Sequence, residues 1–535
     1  MSARQTARQA LVLPVPAGVR LSTGARAFLV CYGLAVALLF LSSPRQFEDE
    51  SDNLLGAYLI VRGARLYADY FSSHMPFVYY LAAIPALFGA ARLEEFRLFS
   101  NAVLVAGTLA IVVGFRHRIA PPVLYTWATI TVFAHTIQWG EMLHAGTIAG
   151  YGVVAAALLF YADPASTFRL RDQAALSLAI FVAVQSSLLA LYPLLLLAAC
   201  YLAARVVAVR RGASARAQAR QAASLLAIVL VPHLVVLAWL WAIGALGSFV
   251  YDAYVFNQLY YSRYVMNPSA AGMVHDWEAQ YRTYLRLNLA RPLSADFFLI
   301  VANLGAAWVT LRTRGPAMAL LYYAFIALTR VRPEGAYYMA SYYSAALCLS
   351  HAGRTVLRWA RSARGQPWRP PGALRVVPSL LFLGLAAVFA ANLARSYDFA
   401  HAPYYRSPYV AVVDALTTPQ ERLFVAPYDP YLFLATGRLP ATKYPFYFPW
   451  QAADPATEAD LTAELQSSRP PVVVFLGDEP VNGQYLPREF GRGVLDFLKG
   501  AYAPLDPQDP VLRDLWVRAD RVDAARQRLH PTGLS

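Results

Sequence analysis

Apolar runs long enough to cross a lipid bilayer recur along most of this chain, and they constrain it more than any other feature. A spanning helix needs about 20 predominantly apolar residues. Candidate runs lie at 27–43, 97–115, 121–138, 145–161, 174–188, 189–206, 222–246, 296–311, 316–329, 336–352 and 376–393. The stretch 174–206 is continuous and divides at Gln185-Ser186-Ser187, where a tight turn fits. Of 535 residues, 58% are hydrophobic and 15% charged, whereas a soluble domain wets its surface with about a quarter of its residues charged. The expected fold is therefore an α-helical polytopic membrane protein with a bundle of about eleven transmembrane helices. The first run lacks a small-residue cleavage site and reads as a retained helix.

The distribution of charge sets the expected orientation. The net charge is +14, but the arginines fall mainly in short segments between apolar runs, which is the membrane pattern and not a nucleic-acid surface. With the N-terminus in the cytoplasm, the cytoplasmic connections hold 21 arginines against two acids, Asp163 and Asp172. The run Pro76–Ala91 is short and interrupted by Pro85, so it suits a re-entrant or interfacial helix. Counting it as a span would put the Arg clusters outside. Basic charge is nearly all Arg, the lysines being Lys443 and Lys499. With abundant Ala and Leu, this suggests a bacterial genome and a place in the bacterial cytoplasmic membrane. Cys31, Cys200 and Cys348 sit inside apolar runs without metal-ligand spacing.

Two units are expected: a transmembrane module over 1–395, with re-entrant or interfacial helices in its first outer loop (44–96), and an extracytoplasmic α/β domain over 396–535. In the latter, Leu423–Ala426 and Val472–Leu476 read as short buried strands and Pro455–Gln466 as a helix.

The first outer loop carries the chemistry. It opens with Phe47-Glu48-Asp49-Glu50-Ser51-Asp52, continues through Ala57, Gly63, Tyr67 and Asp69, and ends at His74-Met75-Pro76. Clustered carboxylates at a membrane surface are costly unless solvated, paired or used. Taken alone, the run also suits a solvated outer loop.

The spacing from Asp49-Glu50 to His74-x-Pro76, with Arg97 opening the next span, resembles the first external loop of GT-C superfamily glycosyltransferases. These include protein O-mannosyltransferases and the lipid A aminoarabinose transferase. The resemblance covers roughly the first 120 residues in motif and the rest in topology. It implies transfer of a sugar from a polyprenyl-phosphate donor to a glycan, lipid or protein acceptor on the outer face, with inversion. It also implies Asp49 as the base, with Glu50 and Glu141 orienting the acceptor or tuning Asp49. Arg330, Arg332, His74 and Tyr337 would meet the donor phosphate, as an Arg fork binds phosphate oxygens. Tyr67, Asp69, Tyr260 and Tyr261 are candidate sugar or acceptor contacts, although tyrosines gather at every membrane interface. His74 reads equally as the cap of a re-entrant helix.

A divalent cation, Mg or Mn, held by Asp49, Glu50 and Glu141 is compatible with hard oxygen ligands. The superfamily contains metal-dependent and metal-free members, so the point stays open. No Walker loop, GxSxG elbow or Rossmann fingerprint is present. The competing readings are a polytopic transporter and a lipid-linked polymer ligase. A transporter favours charges in mid-helix and two related halves, and here the charges gather on the outer loops.

Overall fold

The computed structural model describes residues 22–41, 48–137, 142–162, 168–265, 307, 310–311, 315–329, 406–481 and 483–529. Nine helices lead the described chain: α1 Thr23–Leu41, α2 Glu48–Val61, α3 Phe77–Leu87, α4 Leu93–Phe115, α5 Pro121–Ile137, α6 Ala145–Ala162, α7 Leu170–Ser186, α8 Leu191–Arg210 and α9 Ala215–Ala242. A helix over Pro316–Leu328 follows. Eight of the apolar runs thus coincide with helices. The runs 336–352 and 376–393, and most of 296–311, lie outside the described residues. Among the described residues, four helical stretches are long and apolar enough to cross a membrane: Gly24–Leu41, Leu93–Phe115, Leu188–Arg210 and Ala215–Ala242.

Local chemistry sets the boundaries. α4 starts where the Glu95 carboxylate accepts the backbone N–H groups of Ala91 and Arg92 at 2.8 and 3.0 Å, satisfying donors that a helix start leaves open. α7 stops at Ser186, and a single 3₁₀ turn over Leu188–Ala190 leads into α8. This is the break expected at Gln185–Ser187.

The basic turns share one end of the bundle. Arg118, after α4, pairs with Asp172 at the start of α7. Arg205 donates to Gln221 across the α8–α9 turn at 2.6 Å, and Ser224 of α9 meets Gln173 of α7 at 3.5 Å.

At the other end lies α2, which the apolar pattern did not single out. Its residues from Glu50 to Leu59 are all buried, and it packs along α3. Gly56 permits this approach, because a Cβ there would stand 2.5 Å from Cδ1 of Tyr79. Gly63, at φ 94°, ends the α2 turn in the left-handed region that suits glycine. α3 has 11 residues with Pro85 inside. At 1.5 Å per residue it is about 16 Å long, roughly half the hydrocarbon thickness.

After α9, a short helix Leu246–Val250 passes into a π-helical segment, Tyr251–Tyr261. The C-terminal part forms a four-stranded sheet of β1 Leu423–Ala426, β2 Val472–Phe475, β3 Tyr502–Pro504 and β4 Leu515–Arg518, in the order β1-β2-β4-β3. β1 and β2 are parallel, joined through the helix Pro455–Ser468, and the other pairs are antiparallel. β1 and β2 are buried throughout. The helix Pro430–Thr436 packs on α2 and so ties the sheet to the bundle.

Candidate functional site

Three distant pieces of chain meet at the first turn of α2. Glu50, fully buried, forms an ion pair with Nη2 of Arg97 in α4. Its other oxygen accepts the backbone N–H of Leu143 at 3.0 Å. Asn53, one turn on, donates to the carbonyl of Leu143 at 3.1 Å. The turn before α6 is therefore laced to α2 on both sides of Leu143. A buried ion pair withstands its desolvation only when the remaining lone pairs are also satisfied, and the Leu143 N–H does this for Glu50. Asp49 belongs by backbone to the same first turn, and its side chain lies outside the described residues. Glu141, two residues before Leu143, also lies outside them, as do Arg330, Arg332 and Tyr337. Two members of the expected three-acid cation site, Asp49 and Glu141, lie with their side chains outside the described residues. Among the described residues, no group of three or more His, Cys, Asp or Glu is gathered to hold a metal.

A second carboxylate, Asp52, organises the loop that follows. Tyr70 donates its hydroxyl to Oδ1 and Tyr79 donates to Oδ2. Nδ1 of His74 stands 3.3 Å from Oδ2. Burial first, and then the nearby Asp52 carboxylate, hold both phenols well above their ordinary range, so they remain donors. Ser72 shares a 2.6 Å hydrogen bond with the Tyr79 hydroxyl and accepts the His74 N–H at 3.0 Å. Tyr67 is buried with φ 72°, an uncommon conformation for a bulky residue. Its hydroxyl donates to the His74 carbonyl at 2.9 Å, and its ring packs on Phe249 at 5.0 Å. Tyr67 is thus a strut for the loop.

The C-terminal part and the π-helical segment close over this corner. The Phe71 N–H donates to the Lys443 carbonyl at 2.8 Å, and Asn257 donates to the Ser73 carbonyl at 2.7 Å. The hydroxyls of Ser51 and Tyr428 are hydrogen-bonded. The Tyr251 hydroxyl donates to Asp454 at 2.7 Å. Asp252, in the π-helical segment, is buried and pushed up to about 8 by that burial, with Lys443 and the Ser72 backbone N–H opposing the shift.

The other expected contacts fall further out. Asp69 forms a two-pronged pair with Arg65, at 2.8 and 2.7 Å, and also accepts the Arg65 backbone N–H. These bonds hold its carboxyl below the usual range, with burial opposing the shift. Tyr260 and Tyr261 are half-buried on the π-helical segment. The Tyr260 ring lies 5.8 Å from Phe256, and Tyr261 meets Trp450 edge-on at 5.2 Å. They form part of an aromatic seam with the C-terminal part.

Sequence reasoning named Glu50, His74 and Tyr67 but passed over Asp52, Asn53 and Asp252. Asp52 and Asn53 were visible as a continuation of the acidic run. Asp252 was overshadowed by the tyrosines around it.

No protein-family profile matches the sequence, and no curated protein matches it. Solved structures do match. ArnT from Cupriavidus metallidurans in the apo state superposes with a TM-score of 0.52 at 12% identity, over 78% of this chain and 86% of that one. The same enzyme bound to undecaprenyl phosphate gives 0.50 at 11% identity, over 78% and 85%. The archaeal oligosaccharyltransferase AglB from Archaeoglobus fulgidus, in complex with an inhibitory peptide and a dolichol-phosphate, gives 0.45 at 14%, over 84% and 69%. The chain has the fold of ArnT.

Proposed function

We propose that this chain is a membrane glycosyltransferase that moves a sugar from a polyprenyl-phosphate donor to an acceptor at the outer face. The observation that carries this reading is the convergence on Glu50 of the first turn of α2, the N-terminal part of α4 and the turn before α6, in a chain with the fold of ArnT. Asp49 and Glu141 each lie one or two residues from a point of that junction, so two acids that chemistry wants together belong to segments already joined.

In this reading the acceptor oxygen forms a bond to the anomeric carbon as the bond from that carbon to the phosphate oxygen breaks. The electron pair leaves on the lipid phosphate, a good leaving group that needs no general acid, and the acceptor proton passes to Asp49. Direct displacement inverts the anomeric centre. Arg330 and Arg332 are the candidates to meet the departing phosphate charge. Glu50, committed to Arg97 and Leu143, fixes the turn that carries Asp49, and orienting the acceptor falls to Glu141. The shared end of the basic turns, away from this junction, supports a cytoplasmic N-terminus in a bacterial inner membrane.

The test is sugar transfer from a panel of polyprenyl-phosphate sugars in membranes containing the wild type or Asp49→Asn. Loss of transfer of about 10²-fold or more in a well-folded mutant is expected of a missing base. Undiminished transfer would remove Asp49 from the role. Absence of transfer from every donor, together with substrate flux in proteoliposomes, would favour a transporter.

A further inference from the structure

Resting on the reading just given, we infer that the cavity at the β3 end of the C-terminal sheet binds an acidic sugar unit of the acceptor. The acid group of that sugar meets Arg469, and its ring lies on Phe497.

The cavity measures about 590 Å³, and its lining includes Gln466, Arg469, Phe497, Tyr502, Arg518 and Asp520. Small-molecule sites span roughly 300–1,000 Å³. None of these residues belongs to the junction around Glu50, and β3 stands at the opposite edge of the sheet from β1. The walls come from the end of the helix Pro455–Ser468, a helix over Arg492–Ala501, and strands β3 and β4.

The backbone beneath Arg469 is pinned at three successive carbonyls. Arg518 donates Nη1 to the Arg469 carbonyl at 3.3 Å and its N–H to the Pro471 carbonyl at 3.1 Å. The Tyr502 hydroxyl donates to the Pro470 carbonyl between them at 2.8 Å. Arg469 itself sits at φ 40°, in the left-handed region that a long side chain rarely adopts. Glycine closes a helix there more readily. What arginine adds is its guanidinium.

Charge in the cavity is divided unequally. Arg518 meets Asp520 as a fork, at 2.6 and 2.9 Å, and this bond holds the Asp520 carboxyl below its usual range. These two charges cancel. Arg469 donates Nε to the Gln466 carbonyl at 3.3 Å, and its two Nη groups are engaged by no described residue. Capping the helix end thus leaves most of its donors to a ligand. Burial pushes the Tyr502 phenol up to about 12, while Arg518 and Arg469 both pull it down. Both guanidinium groups therefore stand within electrostatic reach of the cavity floor. The half-buried Phe497 packs its ring on Tyr502 at 5.4 Å, and Gln466 is exposed beside Arg469. An uncommitted cation, an aromatic ring and an amide fit a sugar ring that carries a carboxylate or a phosphate. A neutral sugar would leave the cation unmatched, and a bare ion would leave the ring unused.

The experiment measures binding to the purified full chain in detergent, with no donor present. The probes are a hexuronic acid oligosaccharide, its neutral hexose counterpart, a phosphorylated counterpart and inorganic phosphate. One or both acidic saccharides are expected to bind about tenfold more tightly than the neutral one, and the preferred probe tells carboxylate from phosphate. Arg469→Gly, which suits the left-handed backbone, is expected to abolish that preference while the thermal midpoint holds or rises. Phe497→Leu is expected to weaken the acidic saccharide about fivefold and to leave inorganic phosphate unchanged. Equal affinity for neutral and acidic saccharides, no saturable binding, or a preference that survives Arg469→Gly would each overturn the inference. So would an Arg469→Gly loss that comes with a lowered thermal midpoint, since Arg469 would then be structural. Binding involves no transfer step, so the two failures separate. A chain that binds the acidic saccharide but transfers from no donor defeats the glycosyltransferase reading, and one that transfers without binding defeats this inference.

Discussion

α2 and α9 are opposites in what they hide. α2 carries Glu50, Ser51, Asp52 and Asn53, and all four are buried. α9 carries Leu226, Val231, Leu234, Val235 and Trp241, and all are exposed. In water this arrangement would be inside out. It is stable where α9 faces hydrocarbon, which accepts leucine as readily as a protein core does, while Glu50, Ser51, Asp52 and Asn53 of α2 each hydrogen-bond a partner from elsewhere in the chain. Polarity in this protein marks where the chain must be specific, and apolarity marks where it must only be compatible with lipid.

Removing a partner from α2 breaks that contrast most severely. Glu50→Ala strands the Arg97 guanidinium in a dry site and is expected to cost about 3–5 kcal/mol. It would be read as a lowered thermal midpoint in detergent, and Glu50→Leu with Arg97→Met is expected to regain most of it. A smaller effect, about 2.5–3.5 kcal/mol in membrane insertion, is expected from Leu230→Asp on the exposed side of α9. It is measurable as the integrated fraction after expression, and normal insertion would show that this side does not meet lipid.

Asp252→Asn sharpens the comparison through pH. Burial lifts Asp252 from 3.8 to about 8, so the folded chain keeps a proton that the unfolded chain has released between those values. Stability of the wild type therefore falls as pH rises through that window, and the loss is complete above about 8. Asn cannot ionise. The midpoint difference in favour of Asp252→Asn should widen from acidic pH to about 8 and then level, and a difference that does not vary with pH would contradict the assignment. The smallest effect belongs to Tyr67→Phe, which deletes one hydrogen bond to the His74 carbonyl and should cost about 1 kcal/mol, visible as a modest midpoint shift.

The same contrast explains what could be read in advance. α4, α8 and α9 announced themselves as apolar runs because lipid demands continuous apolarity. The halt between α7 and α8 was legible at Gln185–Ser187, and Pro85 with a short run gave away α3. In the C-terminal part, β1, β2 and the helix Pro455–Ser468 were legible from apolar blocks and turn residues. β3 and β4 were not, since Tyr502–Pro504 and Leu515–Arg518 are brief and carry Pro and Arg. α2 was hidden for a deeper reason. Its acids look solvated until their partners are known, and those partners lie 47 positions away at Arg97 for Glu50 and 27 away at Tyr79 for Asp52. The motif spacing identified Glu50, His74 and Tyr67 as residues of interest, but Asp52 and Asp252 acquire meaning only from neighbours that sequence order does not bring together.

The missing side chain at Gly56 has a mechanical consequence. With no room for even a methyl group between Gly56 and the Tyr79 ring, any side chain at position 56 would have to push Tyr79 aside. Tyr79 holds Asp52 at one end of α3, and Leu87 and Phe88 stand exposed at the other. A bulkier residue 56 would therefore be felt at Asp52, because the ring it displaces carries the hydroxyl that holds that carboxylate.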